Sequence, residues 1–496
     1  MKPFQPDSPD AMNNLEQRER NNVKTNIPYY NGLLASLAAS FLLAASSTTS
    51  WAAHTGHMID GATGTAFTLT ATNGYISTAD GNSVYFWGFA LGAGAVQYPG
   101  TTLIVNQGET ITVTLYNRLP VPVSLVFPGQ KVTAAGGSAG LLTQEAPPAA
   151  GVIPGGPVTY TFTATQPGTF LYQSGTRPDL QIEMGLVGAL IVRPTGFDPS
   201  PGADPTNRTA YGHADSHFDL EYLFLLTEMD ERIHDQVEVQ VRNNLPINVD
   251  TAKWWPVYWF INGRTGPDTL FPPLVSWLPS QPYDCMPIFH PGEKVLMRLI
   301  GAGRDPHPFH HHGNHAQIIA RDGRLLTSGE PGAGADLAQE VFTISTTPGG
   351  TIDAIFSWTG KGLGWDAYGH QSDVDNPPAG WSSGGAKSAQ DVDWNGNGIY
   401  EATPPAPFED PADHGKPFPV ILPTDQELMF GQMYSGSPFI GAPAALPPGQ
   451  GGFNPSGGFI YMWHSHAEKE IVNNNLFPGG MLTLVLIEAY HPGDVP

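Results

Sequence analysis

The chain reads as an all-β protein built from tandem β-sandwiches, and three features carry that reading. Short apolar runs recur along it and are broken by glycine and proline, of which there are 58 and 48; such spacing favours strands and turns over helices. One strand–turn–strand unit occurs twice, because Ile104–Leu115 is similar to Ile288–Leu299, each with a Gly-Glu turn at its centre. The 496 residues are enough for two or three domains with cores of their own. Only about 90 residues separate the second set of strands from His307, too few for a further complete sandwich, so two domains are expected.

Residues 1–52 read as a secretory leader. The apolar run Leu33–Ala45 is too short to span a bilayer, follows Arg18, Arg20 and Lys24, and ends near the small-residue site Ser50-Trp51-Ala52. Met12 is a second candidate start. The first domain is expected over 53–195. Its strands are Thr101–Tyr116, broken by a Gly-containing turn, then Val158–Ala164 and Gly185–Val192. A Pro-, Gly- and Asp-rich linker follows at 196–212. The second domain, 213–496, restarts at Phe218–Thr227 and continues through Trp259–Asn262, Val295–Ile300, Gln317–Ala320 and Met481–Ile487. Between its later strands, about 360–418 reads as a long inserted loop. Inside it, Asp391, Asp393 and Asn395 alternate before a glycine as calcium ligands do, although Ala402 stands where a bidentate Glu is wanted. A plain Asx-rich turn is the preferred reading over calcium.

A net charge of −23 repels nucleic acid and anionic lipid and tolerates cations, and solubility alone accounts for it. The acidic and basic residues of the leader cancel, so a mature form keeps the whole deficit. No later segment could span a membrane. The single cysteine, Cys285, excludes an internal disulfide and any CxxC motif and reads as a small buried hydrophobe. Together these imply export to the periplasm or beyond.

The histidines carry the chemistry. Of 16, six lie between His290 and His315, and two more are His464 and His466. In a strand, alternate side chains share a face, so His310 and His312 point the same way about 7 Å apart, as do His464 and His466. One such pair alone is better read as exposed strand histidines. Two pairs on neighbouring strands put four imidazoles on one face, and copper binds such nitrogen most tightly among the divalent series.

HPFHHHG at 307–313 and His464-Ser465-His466 give the chain a resemblance to the multicopper oxidase family, in its two-domain form. Pro167–Tyr172, Gly185–Val192 and Phe260–Gly263 extend the resemblance over most of the mature chain. It implies cupredoxin-like Greek-key sandwiches, copper, and a homotrimer with metal at the subunit seams. By motif, His307 corresponds to the first ligand of the blue type 1 copper, and His310, His312, His464 and His466 to ligands of the oxygen-reducing cluster. The departures are equally specific. Ser465 replaces the type 1 cysteine and Glu470 the next ligand histidine, while Met481 reaches the axial place only after an insertion. In the first domain, Ser124–Gly129 and Gln173-Ser174-Gly175 stand where the family has histidine pairs.

A serine hydroxyl stays protonated and is no substitute for a thiolate, so no blue centre is expected. One or at most two copper ions match the remaining donors. Three functions stay open, in this order: an exported copper-binding protein with a reduced four-His site, a copper oxidoreductase with a rearranged site, and a metal-free scaffold. Glu468 and Glu470, just beyond the last histidine pair, are candidate hydrogen-bond acceptors for imidazoles, with solvated carboxylates as the commoner case. Trp254, Trp255 and Trp259 read as core or interface aromatics.

Overall fold

A computed structural model of the chain describes residues 56–200, 204–364, 367–368, 408–413, 436–438 and 459–488. The leader, the Asp391–Asn395 pattern and most of the inserted loop lie outside the described residues. In chain order the first set of strands is β1 (Ala62–Thr63), β2 (Ala66–Ser77), β3 (Ser83–Leu91), β4 (Val96–Gln97), β5 (Gly100–Asn106), β6 (Thr110–Asn117), β7 (Thr133–Gly136), β8 (Ser138–Ala139), β9 (Gln144–Glu145), β10 (Gly155–Thr163), β11 (Gly168–Gln173) and β12 (Val187–Arg193). The second set is β13 (Leu220–Met229), β14 (Tyr258–Ile261), β15 (Ile288–Phe289), β16 (Lys294–Gly301), β17 (His307–His311), β18 (Ala316–Arg321), β19 (Arg324–Leu325), β20 (Gln339–Val341), β21 (Thr343–Thr346), β22 (Thr351–Ser357), β23 (Gly436–Pro438), β24 (Phe459–Ser465) and β25 (Leu482–Ile487). The fold is all-β, a tandem of cupredoxin-like sandwiches.

The repeat seen in sequence is a repeat of topology. In the first sandwich, β2, β6 and β10 lie side by side in one sheet and β5, β12 and β11 in the other. In the second, β13, β16 and β22 match the former run, and β15, β25 and β24 the latter. The parallel pairs recur as well: β2 with β6 and β5 with β12, then β13 with β16 and β15 with β25. The Gly-Glu turns at Gly108 and Gly292 therefore carry the chain from one sheet of a sandwich to the other.

Burial explains where alternation holds and where it fails. β6 buries every second residue, as a strand with one solvated face does. β12 and β13 are buried along their whole length because each is covered on both faces. Leu190 and Val192 of β12 fill the first core, while Val187, Ala189 and Ile191 meet Leu223 and Leu225 of β13 in a shared apolar layer. The opposite face of β13, with Leu220, Phe224 and Leu226, joins the second core.

A buried ionic lock crosses the same layer. Arg193 Nη1 donates to Glu221 Oε2 at 2.7 Å, and Arg298 Nε donates to that oxygen at 2.8 Å. Arg298 Nη1 also reaches Thr169 Oγ1 at 3.0 Å, returning to the first sandwich. Burial raises the Glu221 carboxyl, and the two guanidiniums outweigh it, holding the group down at about 2.

Cys285 is buried, with Sγ 3.0 Å from the Ile261 carbonyl, and burial pushes its thiol well above the usual range. Trp259 is buried as expected, but Trp255 is exposed and lies under the Lys469 ammonium at 4.4 Å. No helix among the described residues is long and apolar enough to cross a membrane.

Candidate metal centre

The site is built on one antiparallel strand pair. β17 meets β24 with Phe309 opposite Ser465, His310 opposite His464 and His311 opposite Trp463. Alternation then divides the residues between two faces. Phe309 and Trp463 fill the core, and His311 packs edge-on against Phe356 and Trp463. Burial pushes His311 down to about 3, so it is a neutral packing residue. His310, His312, His464 and His466 share the other face, with ring centroids 4.7 Å apart for His310 and His312 and 4.9 Å for His310 and His466. Gly313 ends the run at a φ of +109°, where a side chain would press on Phe356 and Tyr461.

His310, His312 and His464 each offer a nitrogen, and these atoms all lie within 4.8 Å of one another. The Nε2 atoms of His312 and His464 are 3.3 Å apart. His464 Nδ1 donates to the Ser465 carbonyl at 2.7 Å, which leaves Nε2 with its lone pair facing the cluster. His310 Nδ1 lies 2.9 Å from Thr343 Oγ1 on β21. Burial and the neighbouring imidazoles push His310 down to about 4. His464 is likewise lowered, by burial first and against its bond to Ser465. Neutral imidazoles are what a copper site requires, the tautomer of His464 is fixed by the Ser465 carbonyl, and the donor set fits that ion. His312 is half-buried, and the His466 side chain is 54% exposed with Nδ1 3.5 Å from Glu468.

His307, expected among the donors, stands apart. Its Nδ1 is 2.9 Å from Glu470 Oε2 and its Nε2 is 2.8 Å from Glu228 Oε2, all three side chains being buried. Carboxylates only accept, so both ring nitrogens carry hydrogen and neither has a lone pair for a metal. Burial pulls the imidazole down, but the two carboxylates outweigh it and hold it at about 9. Ser465 Oγ donates to Glu470 Oε2 at 2.5 Å. The three residues that correspond by motif to type 1 ligands are thus bonded to one another, with Glu228 as an outer partner. Met481 is fully buried in the core.

Sequence reasoning missed Glu228 and Thr343. Nothing near either in the chain marks it, since Glu228 is 79 residues from His307 and Thr343 is 33 from His310. Glu470 was visible both as a replaced ligand and as a candidate acceptor for an imidazole, and the ring it accepts from is that of His307.

The first sandwich repeats the pairing without the imidazoles. Val126 bridges Gln173 there, with Ser174 and Gly175 following. Residues 71–196, which contain this pair, match the multicopper oxidase family. The first sandwich is similar to a multicopper oxidase domain. A probable nitrite reductase–hydroxylamine oxidoreductase fusion protein of Kuenenia stuttgartiensis is 26% identical over 232 residues, covering 46% of this chain and 22% of that protein. A multicopper oxidase of Talaromyces pinophilus is 32% identical over 107 residues, covering 21% of this chain and 17% of that one. The chain therefore spans about a fifth of the length of these curated relatives. Among solved structures, the blue copper oxidase of Nitrosomonas europaea covers 85% of this chain and 85% of its own, at 17% identity and a TM-score of 0.45. The family match falls on the sandwich that has lost its histidines, and the histidine cluster falls beyond it.

Proposed function

We propose that the protein binds copper at His310, His312 and His464, with His466 beside them, in a reduced site that has no blue centre. The observation that carries this reading is the convergence of three imidazole nitrogens within 4.8 Å of one another. Copper held there would supply a one-electron redox centre and a Lewis acid. The chain's own part is to keep the rings neutral by burial and mutual proximity and oriented, through Ser465 for His464 and Thr343 for His310. Phe342, edge-on to both His310 and His315, shields one side. His307 stays outside the donor set, because its ring nitrogens are already committed.

A copper-dependent oxidoreductase is the second reading, and the exposure of His466 favours it by leaving an approach to the site. Metal analysis of the purified chain separates the readings. The first expects about one copper per chain, no intense blue colour and no oxidation of phenols or ferrous iron. Turnover of such substrates establishes the second. Absence of metal, with stability unchanged by a chelator, leaves a scaffold. The reading includes export to the periplasm or beyond and assembly as a homotrimer, tested by N-terminal sequencing of the mature protein and by light scattering.

A further inference from the structure

Four residues from three separate segments form an unbroken chain of contacts behind the histidine face. Glu228 lies on β13, His307 opens β17, and Ser465 and Glu470 belong to β24 and the turn after it. Glu228 Oε1 also accepts the backbone N–H of Arg304 and, at 3.2 Å, that of Asp305. His307 then links Glu228 to Glu470, and Glu470 holds the Ser465 hydroxyl. The same hydroxyl accepts the Ala467 N–H at 3.2 Å, which fixes the backbone on the far side of Ser465. The Ser465 carbonyl takes the Nδ1 hydrogen of His464. This path joins the ionic cluster to the histidine face.

We propose that Glu470, locked by His307 and Glu228, is a positioning residue that acts through Ser465 to set the tautomer and aim of His464. The physical reason is a division of labour between the two faces of one strand. A side chain that leaves Ser465 toward the core fixes its peptide plane. That plane aims its carbonyl at His464, on the other face. With the carbonyl fixed, the imidazole hydrogen stays on Nδ1 and the Nε2 lone pair stays directed at His312. A charged anchor suits the task because His307 satisfies Glu470 where water does not reach. The inference rests on the copper reading for its purpose, not for its geometry.

Nitrogen NMR of histidine-labelled, metal-free full-length protein tests it, with His464→Ala used to assign the signal. Wild type is expected to show His464 as the Nδ1–H tautomer. Ser465→Ala and Glu470→Gln are expected to mix the two tautomers, and Ser465→Thr, which keeps the hydroxyl, to restore the first. Copper titration against a competing chelator is expected to show about 10–100-fold weaker binding in the first two variants, with a changed EPR spectrum. Ser465→Ala leaves the His307–carboxylate pairs in place, so a folded metal-free protein with a near-normal melt is expected. An unmixed Nδ1–H tautomer in both variants, with copper affinity equal to wild type, overturns the proposal. A wild type that takes up no copper, with the tautomers still mixed in the variants, sinks the copper reading and leaves Glu470's hold on His464 standing.

Discussion

His312 and His464 hold their Nε2 atoms 3.3 Å apart, although 152 residues separate them in the chain. His464 donates its one ring N–H, at Nδ1, to the Ser465 carbonyl, so the Nε2 lone pair faces His312 across the strand pair. A cation between these rings would replace a nitrogen–nitrogen contact with two metal bonds. His312→Ala or His464→Ala is therefore expected to abolish stoichiometric copper binding. Full-length variants with melts near wild type and copper counts near zero fit that expectation. Copper added to wild type is expected to raise the melting temperature with the logarithm of ligand excess over its dissociation constant, and neither variant to show the rise.

Restoring the missing sulfur alone is not expected to make a blue centre. In Ser465→Cys, His307 still has both nitrogens on Glu228 and Glu470 and presents no lone pair. The visible spectrum with excess copper should stay without an intense blue band. A strong band in this single variant would show that copper can displace Glu470 from His307.

The His307 cluster gives stability a limit on the alkaline side. Its folded-state value is raised from 6.5 to about 9, so its contribution is full below 6.5 and is lost as pH rises through about 9. The size is on the order of 3 kcal/mol. Thermal melts of metal-free protein should fall across that window, and His307→Gln should flatten the slope while lowering stability at neutral pH.

Glu221 gives the opposite limb. Its carboxyl is depressed from 4.5 to about 2, so its contribution is present above 4.5 and is lost as pH falls through about 2. Glu221→Gln should weaken the acid dependence of unfolding.

Removing one partner of that lock should cost more than the pair contributes. Arg193→Met leaves Glu221, fully buried, with Arg298 as its remaining guanidinium partner. A loss of about 3–5 kcal/mol is expected, as for other broken buried pairs. Chemical denaturation should show it as a lower midpoint. A second, earlier transition would mean that the sandwiches part before either unfolds.

Strand identity was written locally and could be read locally. The expected runs at Thr101–Tyr116, Phe218–Thr227 and Val295–Ile300 lie within two or three residues of β5 and β6, β13 and β16. Apolar periodicity and glycine turns act over a few neighbours, and so does strand geometry. The shared face of His310 with His312, and of His464 with His466, follows from the same alternation. The absence of a thiolate was likewise plain from Ser465.

Local pattern along the chain therefore sets the all-β class, the repeated strand unit and the shared face within each histidine pair. Tertiary structure decided the rest. The register of β17 on β24 brought His312 to His464, and β13 delivered Glu228 to His307 across 79 residues. An imidazole's role depends on what its two nitrogens meet, and those neighbours come from distant segments. His307 and His310 look alike in HPFHHHG, yet one became a buried cation between carboxylates and the other a neutral donor.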